Sequence, residues 1–373
     1  MKRKCFNCSG NQFNKKSFTP QPNSIYIVSL IISFCFLICI HPELTAQGKK
    51  IIFKDVTRQA GIDFRYTFGD YNYENILESS GSGITVFDYN NDQLMDVYMM
   101  NGTYIEGVSD RKGIVFKNTR NKLYKNNGNG TFSEVAGVAG VDNPDWSMAA
   151  GAIDYDDDGD QDLYLLNYGP NVFYRNNGNG TFTDITASLG LRGPEKLNGF
   201  IKWSIGVSFW DYNNDGRMDA MVGNFLAYDP AYVSAATPGM MPHPSEYNGQ
   251  ASMLYEQLPD GKFVDVTSKN NLYYPDSKCM GLTVFDYDDD GDIDIFQAND
   301  HQLNFLFRND NGVFKEVGVQ SGVAANTHGK GSGSMHGTIG DVDGDGLIDI
   351  LVVDLEHGAL YRNLGSGLFE DIT

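Results

Sequence analysis

Five times in this chain an acidic loop recurs with the same internal spacing, and that repetition limits the fold more than any other feature. The clearest copy is DYDDDGDQD, Asp154 to Asp162, with acids at positions 1, 3, 5 and 9 and a glycine at 6. Its relatives are DYNNDQLMD from Asp88, DYNNDGRMD from Asp211, DYDDDGDID from Asp286 and DVDGDGLID from Asp341. A chain with five copies of one local unit folds by repetition, so an architecture of stacked modules is expected.

The spacing suits oxygen coordination. A hard cation such as Ca²⁺ takes six to eight oxygens, and a tight loop that turns alternate side chains inward supplies several at once. The expected ligands are Asp88, Asn90, Asp92 and Asp96; Asp154, Asp156, Asp158 and Asp162; Asp211, Asn213, Asp215 and Asp219; Asp286, Asp288, Asp290 and Asp294; and Asp341, Asp343, Asp345 and Asp349. In the second copy the Asp160 carbonyl and water complete the set, and Gly159 permits the turn. An EF-hand starts similarly but needs a Glu at position 12 and flanking helices; here position 12 of the second copy is Leu165, and a strand follows. Asp, Asn and Gly also make ordinary turns, but five copies of one spacing favour up to five Ca²⁺ sites of mainly structural role. Gln93 replaces the glycine in the first copy, which makes that site the weakest.

Around each loop the pattern is the same. An apolar strand such as GITVF (Gly83 to Phe87) enters it and another such as DLYLLN (Asp162 to Asn167) leaves it. A third carries an apolar–aromatic pair, as in Leu123-Tyr124 or Phe173-Tyr174, and turns through an Asn/Gly-rich hairpin such as NNGNG from Asn176 into a fourth, such as TFTDIT. Four antiparallel strands per repeat, spaced roughly 55 to 75 residues apart, predict an all-β β-propeller with five full blades. Strand alternation puts all acidic loops on one face and the long connections between second and third strands on the other. Ile51 to Thr57 (IIFKDVT) resembles the fourth strands but stands alone at the front, as a closing strand.

Residues 1–47 read as a signal peptide, leaving 48–373 as the propeller. Lys2, Arg3, Lys4, Lys15 and Lys16 precede an apolar run from Ile25 to Ile40 and a small-residue cleavage region at Leu44-Thr45-Ala46. The run is short for a membrane span, so a secreted, periplasmic or cell-surface product is expected, not a transmembrane one. Of five cysteines only Cys279 lies beyond the signal, so the domain has no internal disulfide and bound metal is its expected support. The net charge of −20 argues against a nucleic-acid partner, which requires basic surface.

The modules resemble FG-GAP, or VCBS-type, repeats of integrin α-like propellers, and their order resembles the cartilage acidic protein family. The stretches ESSGSGITVFDYNNDQLMDVYMMNG from Glu78, NYGPNVFYRNNGNGTFTDIT from Asn167 and ANDHQLNFLFRND from Ala298 carry the likeness, which covers roughly Ile51 to Thr373. The resemblance implies further blades and an ASPIC/UnbV segment beyond Thr373, hence an incomplete ring here with unpaired apolar blade faces.

No nucleophile elbow, P-loop, HExxH or dinucleotide-binding glycine motif is present. The reading is therefore a binding or adhesion scaffold for a protein or glycan, with a calcium-dependent polysaccharide-acting enzyme as the alternative. The connection from Phe225 to Ala251 is long and aromatic, and places Tyr228, Tyr232, His243 and Tyr247 on the face opposite the acidic loops. The competing account is that it caps the central channel. Trp146 and Trp203, each eight residues before a loop aspartate, suit packing between blades or stacking on a ligand. His336 stands where other modules have glycine or alanine and either packs or lines the channel. An enzyme would draw on His243, His301, His336 and Lys202, which sequence alone does not bring together.

Overall fold

The computed structural model describes residues 52–69, 75–109, 116–355 and 358–373. The expected signal peptide lies outside them. Contacts divide the chain into two compact units, Met1–Asp55 and Val56–Thr373, and the account below concerns the second. Among the described residues no helix is long and apolar enough to cross a membrane.

Among the described residues, five four-stranded antiparallel units follow one another. The first blade is β1 (Ile84–Phe87), β2 (Asp96–Met99), β3 (Lys122–Asn126) and β4 (Phe132–Glu134); the second is β5 (Ser147–Ile153), β6 (Asp162–Asn167), β7 (Val172–Asn176) and β8 (Phe182–Asp184). After a short ribbon, β9 (Lys196–Leu197) and β10 (Phe200–Ile201), the third comprises β11 (Ser204–Trp210), β12 (Asp219–Asn224), β13 (Met253–Gln257) and β14 (Phe263–Asp265). The fourth is β15 (Cys279–Phe285), β16 (Asp294–Gln302), β17 (Phe305–Asp310) and β18 (Val313–Glu316), and the fifth is β19 (Ser332–Gly340), β20 (Asp349–Asp354), β21 (Ala359–Asn363) and β22 (Phe369–Asp371). β16 also pairs with β19 through Asp300↔Gly333 and Gln302↔Ser332, joining the last two blades edge to edge.

Period-two alternation explains how the blades stack. After the last aspartate of each loop, one residue faces the preceding blade and the next faces the following one. Leu163 joins the core between blades one and two, with Tyr98 and Leu123, whereas Tyr164 joins the core between blades two and three, with Ala220 and Tyr255. Met221 and Ile295 meet between blades three and four, and Phe296 and Ile350 between four and five. In the fifth blade the residue corresponding to Tyr164 is Leu351, which is 43% exposed, and Val353 beside it is exposed too. On the first blade Ile84 is 58% exposed and Val86 is likewise open.

Each fourth strand is shielded by the turn that ends the preceding module. Ala136–Ala139, Thr186–Leu189 and Gly318–Ser321 form single helical turns closed by Gly140, Gly190 and Gly322 in the left-handed conformation. These glycines lie against the carbonyls of Phe182, Phe263 and Phe369 in the next blade, where at Gly190 a side chain would collide with backbone. Gly61 sits against Phe132 in the same way, and Phe132 N–H donates to the Ala60 carbonyl at 2.7 Å. The stretch just before it differs from expectation: no strand forms over Ile52–Val56. Fourth-strand sequence makes a strand only where a third strand lies beside it.

Candidate functional site

All five acidic loops share one hydrogen-bond scheme. The first aspartate is clamped by two backbone donors, as at Asp154, which accepts from Asp158 N–H at 3.1 Å and Gly159 N–H at 2.9 Å. Asp88, Asp211, Asp286 and Asp341 are held alike. The fifth-position carboxylate accepts from the amide two residues on, as Asp158 does from Asp160. Positions 4 and 6 are both left-handed: Asp157 and Gly159 in the second loop, Asn91 and Gln93 in the first. Glycine fits position 6 without strain; Gln93, at φ 67°, carries a Cβ there.

The ninth-position aspartate ties the loop to the sheet. Asp162 accepts from Asn176 N–H at 2.7 Å and Tyr155 N–H at 3.2 Å, and Asp96, Asp219, Asp294 and Asp349 repeat both bonds. Burial pushes the carboxyls of Asp162, Asp219 and Asp294 up to about 7 despite those donors. Burial, followed by the neighbouring carboxylates, also raises Asp156 and Asp288. A bound cation opposes both effects.

In the three loops with aspartate at position 3, carboxylate oxygens of positions 1, 3 and 9 converge within 4.8 Å: Asp154, Asp156 and Asp162; Asp286, Asp288 and Asp294; Asp341, Asp343 and Asp349. Asp288 Oδ1 and, in the first loop, Asn90 Oδ1 are buried without a hydrogen-bond partner. Orphaned oxygens at position 3, inside a ring of carboxylates, fit a hard cation. Loops one and three have Asn90 and Asn213 there, and a basic side chain engages position 5: Lys125 reaches Asp92 at 3.0 Å, and Arg217 pairs with Asp215.

The residues expected on the opposite face separate into buried and exposed sets. Trp146, Trp203, Tyr228 and Tyr247 are interior, in one cluster with Phe68, Tyr168 and Phe225. Trp203 meets Phe225 edge-on at 5.1 Å, and Tyr228 meets Tyr247 at 5.8 Å. Tyr232 is 39% exposed and packs on Tyr247. His243 is exposed and caps the short helical turn Pro244–Glu246. Its ring lies 4.3 Å from that of His301, and His301 Nε2 is 3.5 Å from Asp300 Oδ1. Lys278 Nζ donates to the Pro244 carbonyl at 3.3 Å.

His336 and Lys202 are placed differently. His336 lies beside Gly281 of β15 and is itself exposed. Lys202 is buried, donating to Asn171 Oδ1 and Ser204 Oγ at 2.8 Å each. Two things escaped the sequence reading. One is Asp300, which lies outside the acidic loops. The other is the amide at the end of the third strand in blades two to five, or one residue before it in blade four: Asn176, Gln257, Asn309 and Asn363 donate to the carbonyls of Tyr89, Tyr155, Tyr212 and Tyr287 in the preceding blade's loop. Its signal was the first Asn of NNGNG, which reads as a hairpin residue alone.

Against known proteins, the FG-GAP-like repeat family matches residues 114–165, 154–222 and 286–352. These stretches contain loops two to five and leave the first outside. Cartilage acidic protein 1 of Mus musculus is 27% identical over 86% of this chain and 34% of its own length. The Homo sapiens protein of that name is 27% identical over 41% of this chain and 20% of its own. The chain thus spans about a third or less of these relatives. Among solved structures, an Agrocybe aegerita lectin that recognises non-reducing terminal N-acetylglucosamine aligns over 78% of this chain and 65% of its own, at 15% identity and a TM-score of 0.42. The V. cholerae biofilm matrix protein Bap1 aligns over 82% of this chain and 42% of its own, at 13% identity and 0.40.

Proposed function

The chain belongs with the FG-GAP-like repeat proteins, and on that premise we propose that it is an exported, calcium-stabilised β-propeller that binds a protein or glycan partner. The observation that carries the calcium assignment is the buried, unpartnered oxygen at position 3, Asp288 Oδ1 and Asn90 Oδ1. Backbone donors already fix the carboxylates around it, so little ordering remains when the ion enters. Positions 1, 3, 5 and 9 of each loop would hold it. Bound Ca²⁺ neutralises carboxylates that the fold crowds together, and its role is structural.

Partner binding is assigned to the face opposite the loops. Tyr232 and His243 are exposed there on a rigid aromatic base, and a groove of about 310 Å³ runs between Tyr274–Ser277 and Gln302–Phe305. Export is inferred from the basic and apolar pattern of residues 1–47.

A ligand bound only by the native state stabilises it by RT ln(1 + [L]/Kd), about 2.7 kcal/mol per site at a hundredfold excess. Melting with saturating Ca²⁺ and with chelator should therefore differ markedly, and Asp158→Asn should weaken its own site. Coincident melting curves would remove the calcium assignment. Glycan-array and pull-down binding, lost in a Tyr232→Ala/His243→Ala variant, tests the face. The enzymatic alternative draws on the meeting of His243, His301 and Asp300, and turnover assays on acidic polysaccharides decide it.

A further inference from the structure

The meeting of the Phe225–Ala251 connection with the end of β16 contains a group the calcium loops and the aromatic base do not explain. Asp300 is 2% exposed, yet its Oδ1 has no hydrogen-bond partner. Beside it His301 takes a left-handed backbone, φ 50°, in the register shift between Asp300 and Gln302 where β16 pairs with β19. Such a bulge re-aims a side chain, and a left-handed non-glycine residue persists only where its surroundings hold it. Here it brings Nε2 to 3.5 Å from Asp300 Oδ1 and the ring to 4.3 Å from that of His243.

We propose that His243, His301 and Asp300 form a binding site for a divalent transition-metal ion of the zinc class, distinct from the calcium loops. Two ligand atoms bonded to one tetrahedral ion at about 2.0–2.2 Å lie about 3.3–3.6 Å apart, which matches the Asp300–His301 separation. His243 Nδ1 is 2.8 Å from Ser245 Oγ. That nitrogen also accepts from Ser245 N–H at 3.3 Å, the contact that caps the turn; ligation through Nε2 therefore requires the ring proton to pass to Nδ1, which gives up the backbone donor and donates to the Ser245 hydroxyl, the usual second contact of a metal-bound imidazole. Two imidazoles and a carboxylate select a borderline ion over Ca²⁺, which prefers an all-oxygen set. In the present arrangement the three ligand atoms do not all fall within 4.8 Å of one another. Closure requires the exposed His243 side chain to move toward the fixed pair, so the ion would pin the connection to the fourth blade.

The test uses the full chain without an affinity tag, in Ca²⁺ excess so that the acidic loops are filled. Titration with Zn²⁺ by calorimetry, and with Co²⁺ followed by its visible absorption, should show one additional site with the bands of a nitrogen-containing set. His243→Ala and His301→Ala should each weaken it by at least about a hundredfold, and Ser245→Ala by about tenfold. His243 is exposed, so its variant should keep the calcium-dependent melting of the parent. Zn²⁺ should also slow proteolysis within residues 229–243 in the parent and not in His243→Ala. No Zn²⁺ site in excess Ca²⁺, or a site with unchanged affinity in both histidine variants, would overturn the proposal.

Discussion

Asn176 of the second blade donates its side-chain amide to the backbone carbonyl of Tyr89 in the first blade's acidic loop, at 2.9 Å. The same residue's backbone N–H holds Asp162 of its own loop at 2.7 Å. One residue thus couples two acidic loops across a blade boundary.

Replacing Asn176 by Ala strands the Tyr89 carbonyl and removes the second bond of the same amide, to the Gln161 carbonyl. A buried group left unpaired costs about 1–3 kcal/mol. Denaturant unfolding should show a loss of that size, and calcium affinity should fall in the first and second loops while the fourth and fifth keep theirs.

Gln93→Gly should stabilise the first loop. A left-handed non-glycine residue costs roughly 1–2 kcal/mol, and the greater unfolded freedom of glycine returns roughly 0.5–1 kcal/mol of that. A net gain of about 0.5–1 kcal/mol is expected in thermal unfolding. Calcium affinity of the loop should rise slightly, because Lys125 still competes at Asp92.

Tyr228 and Tyr232 should behave oppositely though they lie four residues apart. Tyr228, 3% exposed among Tyr168, Trp203 and Tyr247, should cost about 3–5 kcal/mol on truncation to Ala. Tyr232→Ala should leave melting nearly unchanged and lower partner binding. Equal melting of the two variants would mean that the connection is not anchored as described.

Lys202 should make stability depend on pH above neutrality. Burial, reinforced by the nearby charge of Arg192, lowers its ammonium to about 7, below the unfolded value of about 10.4. Between those limits the unfolded chain holds a proton that the folded chain does not, so stability rises with pH from about 7 to about 10 and is insensitive to this group below 7. Melting of the parent relative to Lys202→Met should therefore improve across that window. A constant difference between the two would show that Lys202 remains charged in the folded protein.

What could be read from the sequence was local. The acidic loops are legible because Asp154, Asp156, Asp158, Gly159 and Asp162 act within nine residues, through bonds whose partners, the Asn176 N–H at Asp162 apart, lie in the same motif. The four-stranded module is legible because alternation such as that of Leu163 and Tyr164 reports two buried faces. Relations across modules were not. Nothing near Asn176 points to Tyr89, and nothing near His243 points to His301. The aromatic content of Phe225–Ala251 suggested a surface for ligands, but Tyr228 had nearer partners in Trp203 and Tyr168, and Tyr247 had one in Tyr228. Ile51 to Thr57 misled in the other direction, since its likeness to later fourth strands is a likeness of composition and a strand also requires a neighbour.

The helical turns after the fourth strands of blades one, two and four rest on the next blade: Gly140 on Phe182, Gly190 on Phe263, Gly322 on Phe369. The segment that could be cut out or swapped cleanly therefore does not run from a first strand to a fourth. A transplanted blade bounded that way leaves behind the turn that covers its own outer edge. A cassette for grafting should instead begin before the preceding turn and stop before its own, near residues 135–184 for the second blade, so that every exposed edge arrives with its cover.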